Sequence, residues 1–365
     1  MRKFVWTPNF YVILVGPPGV AAKSTSISIG LELLNKLPPE IGIRFGPESM
    51  TWQALADALS KATEYVKYMS GNGVEDIVPM SSLTISVGEL GTFLTMDDDK
   101  LLSFLIRMWD GGDTTFLHAT KHSGLIEVKH PWLNVIAATT PTWLSQNVPQ
   151  AMIGGGLTSR IIFVYGDRKR TLIPYPDEVV HEGDYYGTKN KLLSDLAHIA
   201  SLAGPYRLHP DARKWGREWY AHLYNGNRPI HMASERYSGW ISRKQTHLHK
   251  LGMVLAAAQR DDLEILEADL IQADAIISML EPTMLKVFES IGIVDEAKHL
   301  AEIVSILRAH GQLDEDALWQ LCMNLMSMPA FGEAIRGGVK GGLLRVGSSN
   351  GRNILFLSQQ RSTLQ

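Results

Sequence analysis

Short apolar runs alternate with helical stretches from Phe10 to about Gly166, and helical spacing takes over afterwards. Tyr11–Val15, Leu83–Val87, Leu133–Ala138 and Ile161–Tyr165 have the length and apolar character of strands buried inside a sheet. Between them, Ser26–Leu37, Thr51–Met69 and Lys100–Trp109 predict amphipathic helices. The first stops before Pro38-Pro39 and the second before a Gly71-Asn72-Gly73 turn. Strands alternating with helices predict an α/β fold, a parallel sheet with crossover helices.

After Pro174-Tyr175-Pro176 the pattern changes. Lys189–Leu202, Pro210–Tyr224, Arg243–Ala258, Glu267–Phe288 and Asp295–Ala309 carry helical periodicity with few strand signals between them. The tail reads as helices Glu302–Ala309, Glu315–Met326 and Ala330–Arg336, then strands Leu343–Val346 and Ile354–Leu357 around an Asn350-Gly351 turn. Three helices followed by a hairpin is a winged-helix-like plan. The expected organisation is an α/β core over 1–175, a helical lid over 176–294 and a winged-helix-like domain over 295–365.

Composition narrows the class. A chain of 365 residues that is 45% hydrophobic can bury a large core. Its one cysteine, Cys322, excludes an internal disulfide framework, and no segment reads as a signal peptide or a membrane helix, so a cytoplasmic, membrane-free setting is expected. With a formal net charge of −3, contact with nucleic acid has to come from local basic patches.

The strand Tyr11–Val15 runs into Gly16, Pro17, Pro18, Gly19, Val20, Ala21, Ala22, Lys23, Ser24 and Thr25. An apolar strand, a Gly/Pro loop and a helix opening on Lys-Ser-Thr is the order of a phosphate-binding loop. Loop N–H groups would cradle phosphate, Lys23 would reach the β/γ-phosphates, and Ser24 would hold Mg²⁺. The loop is one residue longer than G-x-x-x-x-G-K-[ST], and Ala22 stands where the pattern has its last glycine. If that position needs a left-handed backbone, alanine is strained there.

Glu89 ends the strand Leu83–Val87 and is a candidate both for polarising water and for the metal; the preceding residue is Gly88. Thr139 and Thr140 end the strand Leu133–Ala138 and can hold a lytic water, or simply open a turn at Pro141. Arg160 stands just before Ile161–Tyr165, either capping that strand or reaching a neighbouring subunit. Thr114–Thr120 and Leu125–Val128 predict a hairpin whose tip carries Lys121 and His122, a nucleic-acid contact or a solvated turn. Arg336, Lys340, Arg345 and Arg352 cluster in the tail as a nucleic-acid contact or a solvated charged face.

Taken in order, these residues resemble the AAA+ ATPase core, and more narrowly the phage and prophage replication ATPases related to superfamily 3 and minichromosome-maintenance helicases. The resemblance rests on Gly16–Val20 with Lys23-Ser24-Thr25, Gly46–Gln53, Glu89-Leu90, Asn134–Pro141, Gly156–Arg160 and Ser242–Leu251, and it reaches to about residue 290. It implies ATP and Mg²⁺ on Lys23 and Ser24, Glu89 as catalytic carboxylate and Thr140 (or Thr139) as first sensor. Arg160 becomes a finger acting on the next subunit, Arg243 a second sensor, and Lys121 and His122 a DNA-gripping tip. The partners it implies are single-stranded or forked DNA, five further copies in a homo-hexamer, and replication proteins. A loader or assembly switch with weak hydrolysis is the alternative.

Overall fold

A computed structural model describes residues 5–71, 73–95, 98–112, 115–120, 124–148, 152, 156–169, 171–175, 182–225, 237–290, 295–349 and 352–358. It divides the chain into two units, Met1–Ile291 and Gly292–Gln365.

In the first unit, β1 (Tyr11–Val15) leads through the glycine loop into α1 (Lys23–Asn35), β2 (Phe45–Gly46) and α2 (Trp52–Lys61). The antiparallel pair β3 (Thr63–Met69) and β4 (Glu75–Val87) follows, then α3 (Leu90–Phe93), α4 (Asp99–Asp110) and the hairpin β5 (Thr115–Thr120) with β6 (Gly124–Lys129). β7 (Trp132–Thr139), α5 (Pro141–Asn147) and β8 (Ile161–Tyr165) complete the α/β part. The sheet order is β2-β4-β7-β1-β8, five parallel strands, with β3 added antiparallel along the first half of β4.

β1 is an interior strand, between β7 and β8, and Tyr11, Ile13 and Val15 are buried. The apolar stripes of α2 (Leu55, Ala56, Leu59) and α4 (Leu101, Leu102, Phe104, Leu105, Met108, Trp109) are buried in the same core. Each helix starts where a side chain satisfies a free N–H, Thr51 accepting from Ala54 N and Asp98 from Lys100 N and Leu101 N.

One sequence expectation is overturned. Thr51–Met69 is not a single helix: the helix ends at Lys61, and Thr63–Met69 is a strand paired with Glu75–Ser81. The β-branched and aromatic residues Thr63, Tyr65, Val66 and Tyr68 suit a pleated edge, and Thr63 and Ser81 share a hydroxyl hydrogen bond of 2.7 Å. Helical periodicity inherited from α2 had masked this change of element. The chain turns back through Ser70–Val74, with Gly73 at φ 77°.

Helices dominate the rest of this unit: α6 (Glu182–Ser201), α7 (Pro210–Tyr224), α8 (Ser238–Ala257) and α9 (Glu267–Ser290), with a two-residue strand pair, β9 (Arg207–Leu208) and β10 (Glu264–Ile265), among them. Trp240, Ile241, Leu248 and Phe288 belong to the same buried cluster as β1, so one core runs through the α/β part and these helices. Among the described residues no helix is long and apolar enough to cross a membrane.

The second unit runs α10 (Asp295–His310), β11 (Gln312–Asp314), α11 (Glu315–Cys322), α12 (Met328–Lys340), β12 (Leu344–Ser349) and β13 (Arg352–Leu357). Its sheet order is β11-β13-β12, all antiparallel, and β11 is a strand the sequence pattern missed. It has its own core, around Ile303, Leu307, Leu318, Phe331 and Leu355.

Candidate functional site

Because all five strands of the main path point the same way, their carboxyl ends share one edge, where open α/β sheets bind ligands. The glycine loop leaves that edge from β1. Gly16 N donates to Thr139 O at the end of β7, and Gly166 N, after β8, donates to Val15 O. A Cβ at Gly16 would run into the Gly166 carbonyl oxygen and lie 3.0 Å from Ala21 Cβ, so this position takes glycine for space.

The loop turns through two left-handed residues, Gly19 at φ 70° and Ala22 at φ 45°, ψ 34°. Ala22 is the N-cap of α1 and supplies no side-chain cap, so the first N–H groups of the helix are left for a ligand. The left-handed position of the phosphate-loop pattern is therefore kept although alanine occupies it, a backbone strain of about 1–2 kcal/mol. Lys23 curls over the loop and donates to Gly16 O at 2.5 Å and Pro17 O at 3.3 Å. Ser24 and Thr25 are exposed in the first turn of α1.

Glu89 leaves β4 on the same edge, exposed, and accepts a hydrogen bond from the buried Thr139 hydroxyl at 3.4 Å. β4 and β1 both flank β7, so this pair stands beside the loop. Thr140 is placed differently: its Oγ1 accepts from Trp143 N and caps α5. Of the two hydroxyls offered as first sensor, Thr139 is the one joined to Glu89.

Arg160 and Arg243 are not brought to the loop of their own chain. Arg160 precedes β8, whose Ile161 pairs with Tyr11, so it lies at the amino edge of the sheet, roughly 16 Å of strand from the loop at about 3.3 Å per residue. It is buried and held by Asp110, Nε to Oδ1 at 2.9 Å and Nη2 to Oδ2 at 2.7 Å, with Nη1 donating to Gly156 O at 2.5 Å. Arg243, half-buried on α8, shares this neighbourhood: burial lowers its pKa, as does the positive charge of Arg160.

The same edge holds two further buried bases. Lys250 Nζ donates to Asn9 Oδ1 at 2.7 Å and Trp109 O at 2.8 Å and lies 3.7 Å from the Trp109 ring centre; burial pushes its pKa down to about 7. His247 stacks on Trp240 and its Nε2 meets Ser159 O at 3.0 Å; burial pushes its pKa down to about 3, so it is neutral.

The hairpin expected around Lys121 and His122 forms, as β5 and β6, but those two residues lie outside the described residues. In the second unit Arg336 and Lys340, four apart on α12, Arg345 on β12 and Arg352 on β13 are all exposed.

The donor set fits a nucleoside triphosphate with Mg²⁺: a helix N-terminus with uncapped N–H groups, a lysine over the loop, a first-turn serine and one carboxylate. Among the described residues no three His, Cys, Asp or Glu side chains gather as a metal site. Mg²⁺ of this kind takes most of its ligands from phosphate oxygens and water.

No known family model matches this chain, and no curated protein matches it. Among solved structures it is similar to a full-length MCM homolog from Methanopyrus kandleri, at 14% identity and a TM-score of 0.38, over 75% of this chain and 51% of that one. The chain thus spans about half the length of that protein.

Proposed function

We propose that this chain is an ATPase of the AAA+ type, working as a ring-forming DNA helicase or translocase of a phage or prophage replication system. The observation that carries the ATPase is the loop on β1 with Lys23 folded over it, flanked by Glu89 and Thr139 on one sheet edge. When bound, Mg²⁺ would supply charge neutralisation on the γ-phosphoryl group of ATP as it passes to water. Lys23 and the loop N–H groups would hold the phosphates, Ser24 would hold the metal with help from Glu89, and Glu89, steadied by Thr139, would orient the attacking water.

Ring formation rests on the resemblance to ring-shaped ATPases. Arg160, the finger that resemblance implies, is 4% exposed and held by Asp110 and the Gly156 carbonyl, so in this arrangement it is a structural ion-pair partner and does not reach a neighbouring site. The half-buried Arg243 on α8 is the remaining candidate for contact with the next subunit's nucleotide, where such an arginine is worth about 10³–10⁵ in rate. DNA contact is assigned to Lys121 and His122 and, in the tail read as a winged helix, to the exposed Arg336, Lys340, Arg345 and Arg352.

Two observations favour a second reading, a nucleotide-dependent loader or switch with weak hydrolysis. Ala22 is strained where the loop usually has glycine, and Gly88 leaves the metal without a second carboxylate on β4. ATP hydrolysis by the wild type and Lys23→Ala, each with and without single-stranded DNA and at concentrations that permit assembly, separates the two. DNA-stimulated turnover abolished by Lys23→Ala supports the motor; tight ATP binding without turnover sinks it and favours the switch.

A further inference from the structure

The phosphate loop has two flanks, because β1 lies between β7 and β8. The β7 flank carries Thr139 and Glu89, the side to which the proposed function assigns terminal phosphate and metal. On the β8 flank the chain leaves the sheet through Gly166, which is wedged against the loop: its carbonyl oxygen abuts Gly16, and a Cβ on it would touch Ala21 Cβ at 3.5 Å. The next residue is Asp167. Its Oδ2 accepts from Lys286 Nζ at 2.9 Å, and the same ammonium lies 5.4 Å from the ring centre of Tyr165, the last residue of β8. Lys286 comes from α9, 119 residues further along the chain. A carboxylate, the cation that holds it and an aromatic ring thus gather at the mouth of the loop, on the side away from Glu89.

The chemistry of this group is specific. Its hydrogen bond to Lys286 holds the Asp167 carboxyl below the usual carboxylate range, so at neutral pH it is ionised and only accepts hydrogen bonds. Asp167 and Lys286 are 43% and 53% exposed, so the pair is open to a ligand. An acceptor-only group beside a phosphate loop is ill suited to phosphate and well suited to hydroxyl donors. A nucleotide whose terminal phosphate points to Glu89 places its sugar toward the opposite flank, and a carboxylate is the group that takes the ribose 2′-hydroxyl at comparable sheet edges.

We propose that Asp167 recognises the ribose of the bound nucleotide, with Lys286 as the residue that positions it, so that the site prefers ribonucleotides to 2′-deoxyribonucleotides. This rests on the nucleotide reading above. An acceptor held in place by Lys286 gains from the 2′-hydroxyl a hydrogen bond that the deoxy analogue cannot supply.

The test is calorimetric titration of the full chain with ATP and with 2′-deoxyATP, both with Mg²⁺, for wild type, Asp167→Ala, Lys286→Gln, Lys286→Arg and Lys23→Ala. The wild type is expected to bind ATP about tenfold more tightly than 2′-deoxyATP, as for one charge-assisted hydrogen bond. Asp167→Ala should bring the ratio close to one by weakening ATP alone, Lys286→Gln should reduce it, and Lys286→Arg should restore it. A merely structural role would weaken both nucleotides together and leave the ratio unchanged, which overturns the proposal. Equal wild-type affinities overturn it while leaving the nucleotide reading intact. Absence of binding by either nucleotide overturns both.

Discussion

Arg160 grips Asp110 through two parallel hydrogen bonds, yet the two partners are unlike: the arginine is 4% exposed and the aspartate 42%. The pair therefore holds a buried cation in place from the surface. Around it stand Arg243 and Lys250, so Asp110 is the carboxylate that offsets a cationic cluster at the amino edge of the sheet.

Asp110→Asn should destabilise the first unit by about 1–2 kcal/mol, less than the roughly 3–5 kcal/mol of a fully buried pair because water already reaches Asp110. Urea denaturation checks this. An unchanged midpoint would mean that Arg160 finds its compensation in the Gly156 carbonyl and the Trp109 ring alone.

Lys250 predicts a rise of stability with pH. Its folded pKa is about 7 and its unfolded value about 10.5, so between these the unfolded chain binds one more proton and stability increases as pH rises. The slope is up to about 1.4 kcal/mol per pH unit. Thermal or chemical melts of wild type and Lys250→Met from pH 7 to 10 should differ by this slope; parallel curves would refute it.

His247 predicts the acid limb. With a folded pKa of about 3 against 6.5, it withholds a proton that the unfolded chain takes, so stability is lost as pH falls from about 6.5 toward 3. His247→Phe, which keeps the ring stacked on Trp240, should flatten this limb in pH-dependent melts.

Ala22→Gly removes a Cβ from a left-handed position. The relief of strain exceeds the added freedom of the unfolded chain, and the variant should be more stable by about 0.5–1 kcal/mol. Its affinity for ATP should rise as well, since the loop reaches its binding shape at lower cost. A fall in both quantities would show that the loop uses the alanine side chain.

Gly88→Asp tests the metal. A side chain at Gly88 meets nothing within 4 Å, and its backbone is not left-handed, so aspartate fits without strain. Beside Glu89 it should lower the Mg²⁺ concentration for half-maximal hydrolysis by several-fold; Mg²⁺ titrations of turnover would show an unchanged midpoint if this strand end does not face the metal.

Local features of the sequence determined β1, β7, β8 and the Leu83–Val87 half of β4 as buried strands, the glycine loop, the stripes of α2 and α4 and the β5–β6 hairpin, because periodicity and turn chemistry act over a few residues. They also singled out Lys23 at the start of the helix after the loop, Glu89 just past a strand, and Thr140 or Thr139 at the end of another as site candidates. The change from helix to strand at Thr63 escaped them, since only pairing with Glu75–Ser81 makes that segment extended. Tertiary structure alone decided the rest. It joined Lys250 to Asn9 across 241 residues and Lys286 to Asp167 across 119, turned the Thr140 hydroxyl to the cap of α5 and that of Thr139 to Glu89, and set Arg160 and Arg243 on the edge opposite the loop. The physical reason is that the partner of a charged side chain is fixed by which elements pack together, and that depends on burial summed over the whole core rather than on any spacing along the chain.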